Sequence, residues 1–147
     1  NGGELKPISL LKLDRPAVGR KVFSESTANA LLDMMESVVK VDGTAPLAQV
    51  AGYRVAGKTG TAHKLECGRY VDKYVASFVG LAPVSNPRLI VAVMIDEPDN
   101  KQYYGGLVAA PVFSKVVGAT LQELNEPHDA PLNNVIVPTT DVVQEEI

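Results

Sequence analysis

The clearest periodicity in the chain runs over residues 24–40, where Ala28, Leu31, Leu32, Met35, Val38 and Val39 recur at helical spacing on one face. Ser24 offers a capping hydroxyl, Glu25 sits at the positive end of the macrodipole, Lys40 suits a last turn, and Asp42-Gly43 stops the run. The pattern predicts an amphipathic helix whose apolar stripe packs against a sheet or a second helix. Three apolar runs at 53–62, 74–81 and 88–96 then predict strands. Ser85-Asn86-Pro87 is a turn between the last two, and the polar stretch 63–73, with Gly68 in it, reads as a loop between the first two. The connections hold no crossover helix, so the strands form an antiparallel meander. Beyond Gly105-Gly106 a second helix starts near Ala110-Pro111 and runs to Leu124, with apolar residues on more than one face and hence well buried. Residues 1–20, interrupted by Pro7, Pro16 and Gly19, read as extended chain with turns. The fold class expected is α+β, an antiparallel sheet with helices laid on one face. Residues 1–125 form the folded part and 126–147, with Pro127, Pro131 and Pro138, a flexible tail.

Composition narrows the functions this arrangement can serve. The chain has 147 residues, 46% hydrophobic and 21% charged, which fits one modest globular domain. Its formal net charge is -3 and no Lys/Arg stripe is present, which argues against a nucleic-acid partner. The single cysteine, Cys67, excludes an internal disulfide framework, and His63 and His128 have no ligand spacing, so no metal or other cofactor is read. No base pattern near Cys67 marks it as a nucleophile. The longest apolar runs, such as 89–95, fall far short of the roughly 20 residues a membrane helix needs. The start, Asn1-Gly2-Gly3 with no initiator Met, leads us to expect part of a longer protein.

Candidate chemistry sits in the first strand, at Lys58-Thr59-Gly60-Thr61. Alternation puts Thr59 and Thr61 on one face, where two hydroxyls can donate to a carboxylate. Lys58 adds positive potential for an anionic substrate and can keep a neighbouring base unprotonated. Gly60 permits close approach of another element, and on an edge strand the Thr61 N–H can point at a developing oxyanion. Three letters alone also fit an ordinary strand with an exposed lysine and two threonines, which are good strand formers.

The context of the motif decides between these readings. Residues 53–62, Tyr-Arg-Val-Ala-Gly-Lys-Thr-Gly-Thr-Ala, together with 74–83, 88–98, Tyr103-Tyr104-Gly105-Gly106 and Ala109-Ala110-Pro111-Val112-Phe113, resemble the C-terminal part of the transpeptidase domain of class B penicillin-binding proteins. The resemblance covers roughly residues 1–125 and is to the division-specific peptidoglycan D,D-transpeptidase type. It implies a serine acyltransferase that takes the D-Ala-D-Ala donor of a stem peptide, passes the acyl group to an amine on a second strand, and is acylated by β-lactams. It implies that Lys58 belongs to the catalytic hydrogen-bond network and that Thr59, Gly60 and Thr61 bind the substrate or β-lactam. The Thr61 amide would form half of the oxyanion hole, and Tyr103 and Tyr104 would sit near the cleft wall or pack under the Gly-Gly turn. It implies the periplasmic face of a bacterial inner membrane, an N-terminal anchor outside this chain, and cell-division proteins as partners.

That family pairs Lys-Thr-Gly with Ser-x-x-Lys and Ser-x-Asn. The chain holds Ser-x-x-Lys at Ser9–Lys12 and Ser37–Lys40, and no Ser-x-Asn. A catalytic serine of this kind begins a buried helix, whereas Ser37 ends the predicted helix and Ser9 precedes none. The nucleophile is therefore expected in an upstream half of the same protein, without which these residues alone would be inactive. A non-catalytic penicillin-recognising module and a serine β-lactamase relative are the competing readings.

Overall fold

The structure, a computed structural model, describes residues 1–15, 17–98 and 102–136. The chain divides into two compact units, Asn1–Met34 and Met35–Ile147.

In the first unit Glu4–Leu5 (β1) pairs antiparallel with Arg20–Lys21 (β2), Glu4 opposite Lys21. The helix Glu25–Ser37 (α1) begins here, and the Thr27 N–H donates to the Ser24 hydroxyl at 3.1 Å, the cap expected from sequence. It stops at Ser37, three positions before Lys40. No residue of α1 is fully buried: of the expected stripe Leu31 is exposed, while Ala28, Leu32 and Met35 are half-buried. The apolar periodicity outlasts the helix, and Val39, beyond its end, is a core residue.

The second unit is built on three antiparallel strands, Ala56–Glu66 (β3), Arg69–Ala82 (β4) and Leu89–Asp96 (β5), in the order β3-β4-β5. The meander is as expected, but the 63–73 loop is not. β3 and β4 continue through it as a hairpin arm closed by Cys67-Gly68, both at positive φ of 49° and 78°. Such a two-residue left-handed turn matches the strand twist. The polar residues that read as loop pair across the arm instead: His63 faces Tyr74, Leu65 faces Tyr70, and Lys73 bonds Glu66 at 2.8 Å.

Register places Thr59, Phe78 and Val93 in one row, and Lys58, Val79 and Ala92 in the next. Adjacent rows point to opposite faces. The Phe78 face is the core. Gly105–Val108 (α2) leads into Ala110–Glu123 (α3), whose Phe113, Val117 and Leu121 are buried at four-residue spacing. Phe113 meets Phe78 edge-on with ring centroids 4.8 Å apart. Only this one stripe of α3 is covered; Val112 and Val116 are exposed, contrary to the expectation of burial on several faces. The Lys58 face is largely uncovered, with Val79 44%, Ile90 76% and Met94 71% exposed.

The tail expected to be flexible spans 126–147. Its described part, 126–136, is a hydrogen-bonded strap: the Tyr53 hydroxyl donates to the Glu126 carbonyl at 2.8 Å, and Asn134 bonds the Gly52 N–H at 3.0 Å. Residues 137–147 lie outside the described residues.

Candidate active site on the outer edge of β3

β3 has β4 on one side and is the end strand of its sheet. Lys58 lies on it with an exposed side chain whose Nζ turns back along the strand. Nζ donates to the Thr59 hydroxyl at 3.0 Å and to the Thr59 carbonyl at 3.1 Å. Lys58 and Thr59 point to opposite faces, so the two side chains meet over the strand's edge. Thr59 is buried, and its hydroxyl also lies 3.2 Å from that of Thr44.

The backbone alternates with the side chains. The Arg54 carbonyl accepts from Val84 N–H, on the β4 side, while the Thr59 carbonyl meets Lys58 on the outer edge. Odd-numbered residues here direct N–H and C=O outward, and Thr61 shares that parity. Its amide therefore aims off the same edge as the Lys58 ammonium. The Thr61 hydroxyl accepts the Gly105 N–H at 3.3 Å, and Ser77 Oγ donates to the Gly60 carbonyl at 3.3 Å.

Gly105 explains how that contact is made. A Cβ on it would lie 2.1 Å from the Ser77 carbonyl oxygen and 2.9 Å from that of Gly60. Only glycine lets the turn before α2 seat on β3 and β4. Just before it, Tyr103 stacks on Tyr74 with centroids 4.0 Å apart at 11°, and Tyr104 tilts against Tyr103 at 4.6 Å. His63 also contacts Tyr74, with ring centroids 4.5 Å apart. The Tyr74 hydroxyl donates to Asp72 at 2.8 Å, and that bond, with desolvation, pushes its pKa up to about 12.

The motif residues Lys58, Thr59, Gly60 and Thr61 thus lie together on one strand edge, with the Tyr103-Tyr104 pair reached through Gly105. Reading the sequence alone missed Thr44, Ser77 and Tyr74. Thr44 follows the helix stop and carries no motif; Tyr74 could have been found only by pairing it with His63 across an unforeseen hairpin. Of the two serines in Ser-x-x-Lys spacing, Ser37 is the last residue of α1 and Ser9 is in no helix. A separate cavity of about 430 Å³, lined by Val39, Gln49, Tyr53, Val55 and Asn134, touches none of the motif residues.

Such an edge gathers a lysine ammonium, two threonine hydroxyls and a backbone amide, donor groups able to hold a carboxylate or a developing oxyanion. The family described as penicillin binding protein transpeptidase domain matches residues 1–118, and the chain belongs to it. It is 47% identical over 133 residues to the probable peptidoglycan D,D-transpeptidase PenA of Neisseria flavescens, covering 90% of this chain and 33% of that protein. It is 44% identical over 129 residues to the peptidoglycan D,D-transpeptidase FtsI of Escherichia coli K12, covering 87% of this chain and 22% of that one. Among solved structures, the apo transpeptidase domain of Burkholderia pseudomallei penicillin-binding protein 3 superposes with a TM-score of 0.80 at 50% identity, over 88% of this chain and 40% of that one. The chain therefore spans a third or less of the length of these curated relatives.

Proposed function

We propose that this chain is the substrate-strand half of a serine D,D-transpeptidase that cross-links peptidoglycan stem peptides and is acylated by β-lactams. The observation that carries the reading is the Lys58–Thr59 contact on an outer strand edge shared with the Thr61 amide. The donor's terminal carboxylate, or the carboxylate of a β-lactam, binds along Thr59 and Thr61. Each of these hydroxyls accepts a hydrogen bond from a neighbour, Lys58 and Gly105 respectively, and a hydroxyl that accepts on one side is polarised to donate on the other. Gly60, between them, keeps that edge narrow. The Thr61 N–H stabilises the oxyanion formed when serine attacks, and the Lys58 ammonium stays in the proton network that serves the attack. Tyr103 and Tyr104 form the adjoining wall.

The serine, with its Ser-x-x-Lys and Ser-x-Asn partners, comes from an upstream half of the same protein, seated on the uncovered Lys58 face. No helix among the described residues is long and apolar enough to cross a membrane. The anchor that would hold the enzyme on the periplasmic face of the inner membrane, and contacts to division proteins, belong to that upstream part. The test is acylation of the full-length protein by a fluorescent penicillin. Lys58→Ala abolishes labelling while the thermal midpoint stays near that of the parent. Labelling at the parent rate would remove Lys58 from the site and the reading with it.

A further inference from the structure

We infer that the strap 126–136, through Asp129 and Asn134, positions strand β3 for the reaction, and that these are positioning residues of the transpeptidase although the family match ends at residue 118. This rests on the reading above. The chain turns into β3 at Gly52, whose φ of 81° puts it in the left-handed region. Both backbone groups of Gly52 are held by the strap: its N–H donates to Asn134 Oδ1 at 3.0 Å, and its carbonyl accepts the N–H of Asp129 at 3.2 Å and of Ala130 at 3.1 Å. Asn134 Nδ2 donates to the carbonyls of Val50 at 3.2 Å and Tyr53 at 3.0 Å. The Asp129 carboxylate accepts the Arg54 N–H at 2.7 Å and the Ser85 N–H at 3.1 Å, so one side chain ties the entry of β3 to the exit of β4. Gln49 completes the frame, accepting the Ile136 N–H at 2.8 Å and donating to the Val39 carbonyl at 2.9 Å.

A strap that only covered apolar surface would contact side chains. This one satisfies consecutive backbone groups of a bend, which fixes where the bend points. Arg54 is four residues from Lys58, about 13 Å along an extended strand. β3 is paired with β4 on one side only, so its anchored start adds to the Thr44 and Gly105 contacts in fixing its position. A shift of about 1 Å in catalytic geometry can lower a rate about 100-fold.

The experiment measures penicillin acylation of the full-length protein under single-turnover conditions, reading the rate constant and the amplitude separately. The amplitude counts folded sites; the rate constant reports their geometry. Asn134→Ala is expected to lower the rate constant about 10- to 100-fold at near-full amplitude. Tyr53→Phe, which removes only the bond to the Glu126 carbonyl, is expected to lower it about threefold. A role confined to stability would reduce amplitude and thermal midpoint and leave the rate constant unchanged, and that outcome overturns the inference. If Asn134→Ala does not fold, Tyr53→Phe decides, and a rate equal to the parent's overturns it. Lys58→Ala is run beside them: labelling there refutes the functional reading itself, whereas its loss with unaltered strap variants refutes only the strap.

Discussion

Thr59 is buried and polar, with Lys58 on one side of its hydroxyl and Thr44 on the other. A buried hydroxyl is tolerated because it is bonded, and here the bonding also draws the lysine over the edge. Two of the five tyrosines are held in a comparable way. Burial, with Glu126 and Asp129 nearby, raises the Tyr53 pKa above its usual value, and the bond to Asp72 takes Tyr74 to about 12. A folded-state pKa above the unfolded value means that the folded protein holds its proton longer. Their contribution to stability is complete below the usual tyrosine value of about 10 and is lost as pH rises through the raised folded-state values, about 12 for Tyr74. An alkaline absorbance titration, differenced against the Tyr53→Phe and Tyr74→Phe variants, should therefore show these two tyrosines ionising above the usual tyrosine value, with loss of near-ultraviolet dichroism as they do. Ionisation of Tyr53 and Tyr74 at about pH 10, the usual tyrosine value, would contradict the bonds assigned to them.

The elements divide by how local their signals are. α1, the strands and α3 were legible because periodicity of 3.6 or 2 is written in consecutive residues, and Ser24 marked its cap. The Lys-Thr-Gly-Thr strand was legible because alternation places Thr59 and Thr61 together whatever the partner strand is. The hairpin arm was not, since its polar residues owe their place to cross-strand pairs such as His63–Tyr74 and to ion pairs such as Lys64–Glu97 at 2.7 Å. The strap was not, because its order comes from Asn134 and Asp129 bonding backbone 44 to 84 residues away. Gly105-Gly106 read as punctuation, while its real role is contact: Gly105 sits against the Ser77 and Gly60 carbonyls. Gly105→Ala should destabilise the full-length protein by about 1–3 kcal/mol, as overpacking does, because both obstacles are backbone. Denaturant unfolding checks this, and a midpoint equal to the parent's would mean that the turn does not seat on β3 as described.

At the scale of the molecule, the sheet is finished on one face and open on the other. Phe78 and Phe113 close the core side, while Val79, beside Lys58, and Ile90 and Met94 on β5 share the exposed face. An open apolar face beside Lys58 fits the proposed partner half that brings the nucleophile, and the match to 40% of the length of a solved transpeptidase domain leaves room for one. The central claim, that this edge serves a serine from elsewhere in the same protein, is tested most directly by peptide mass spectrometry of the full-length protein after penicillin treatment. The account predicts one penicilloyl adduct, on a serine upstream of Asn1. An adduct on Ser9 or Ser37, or no adduct on any serine, would contradict it.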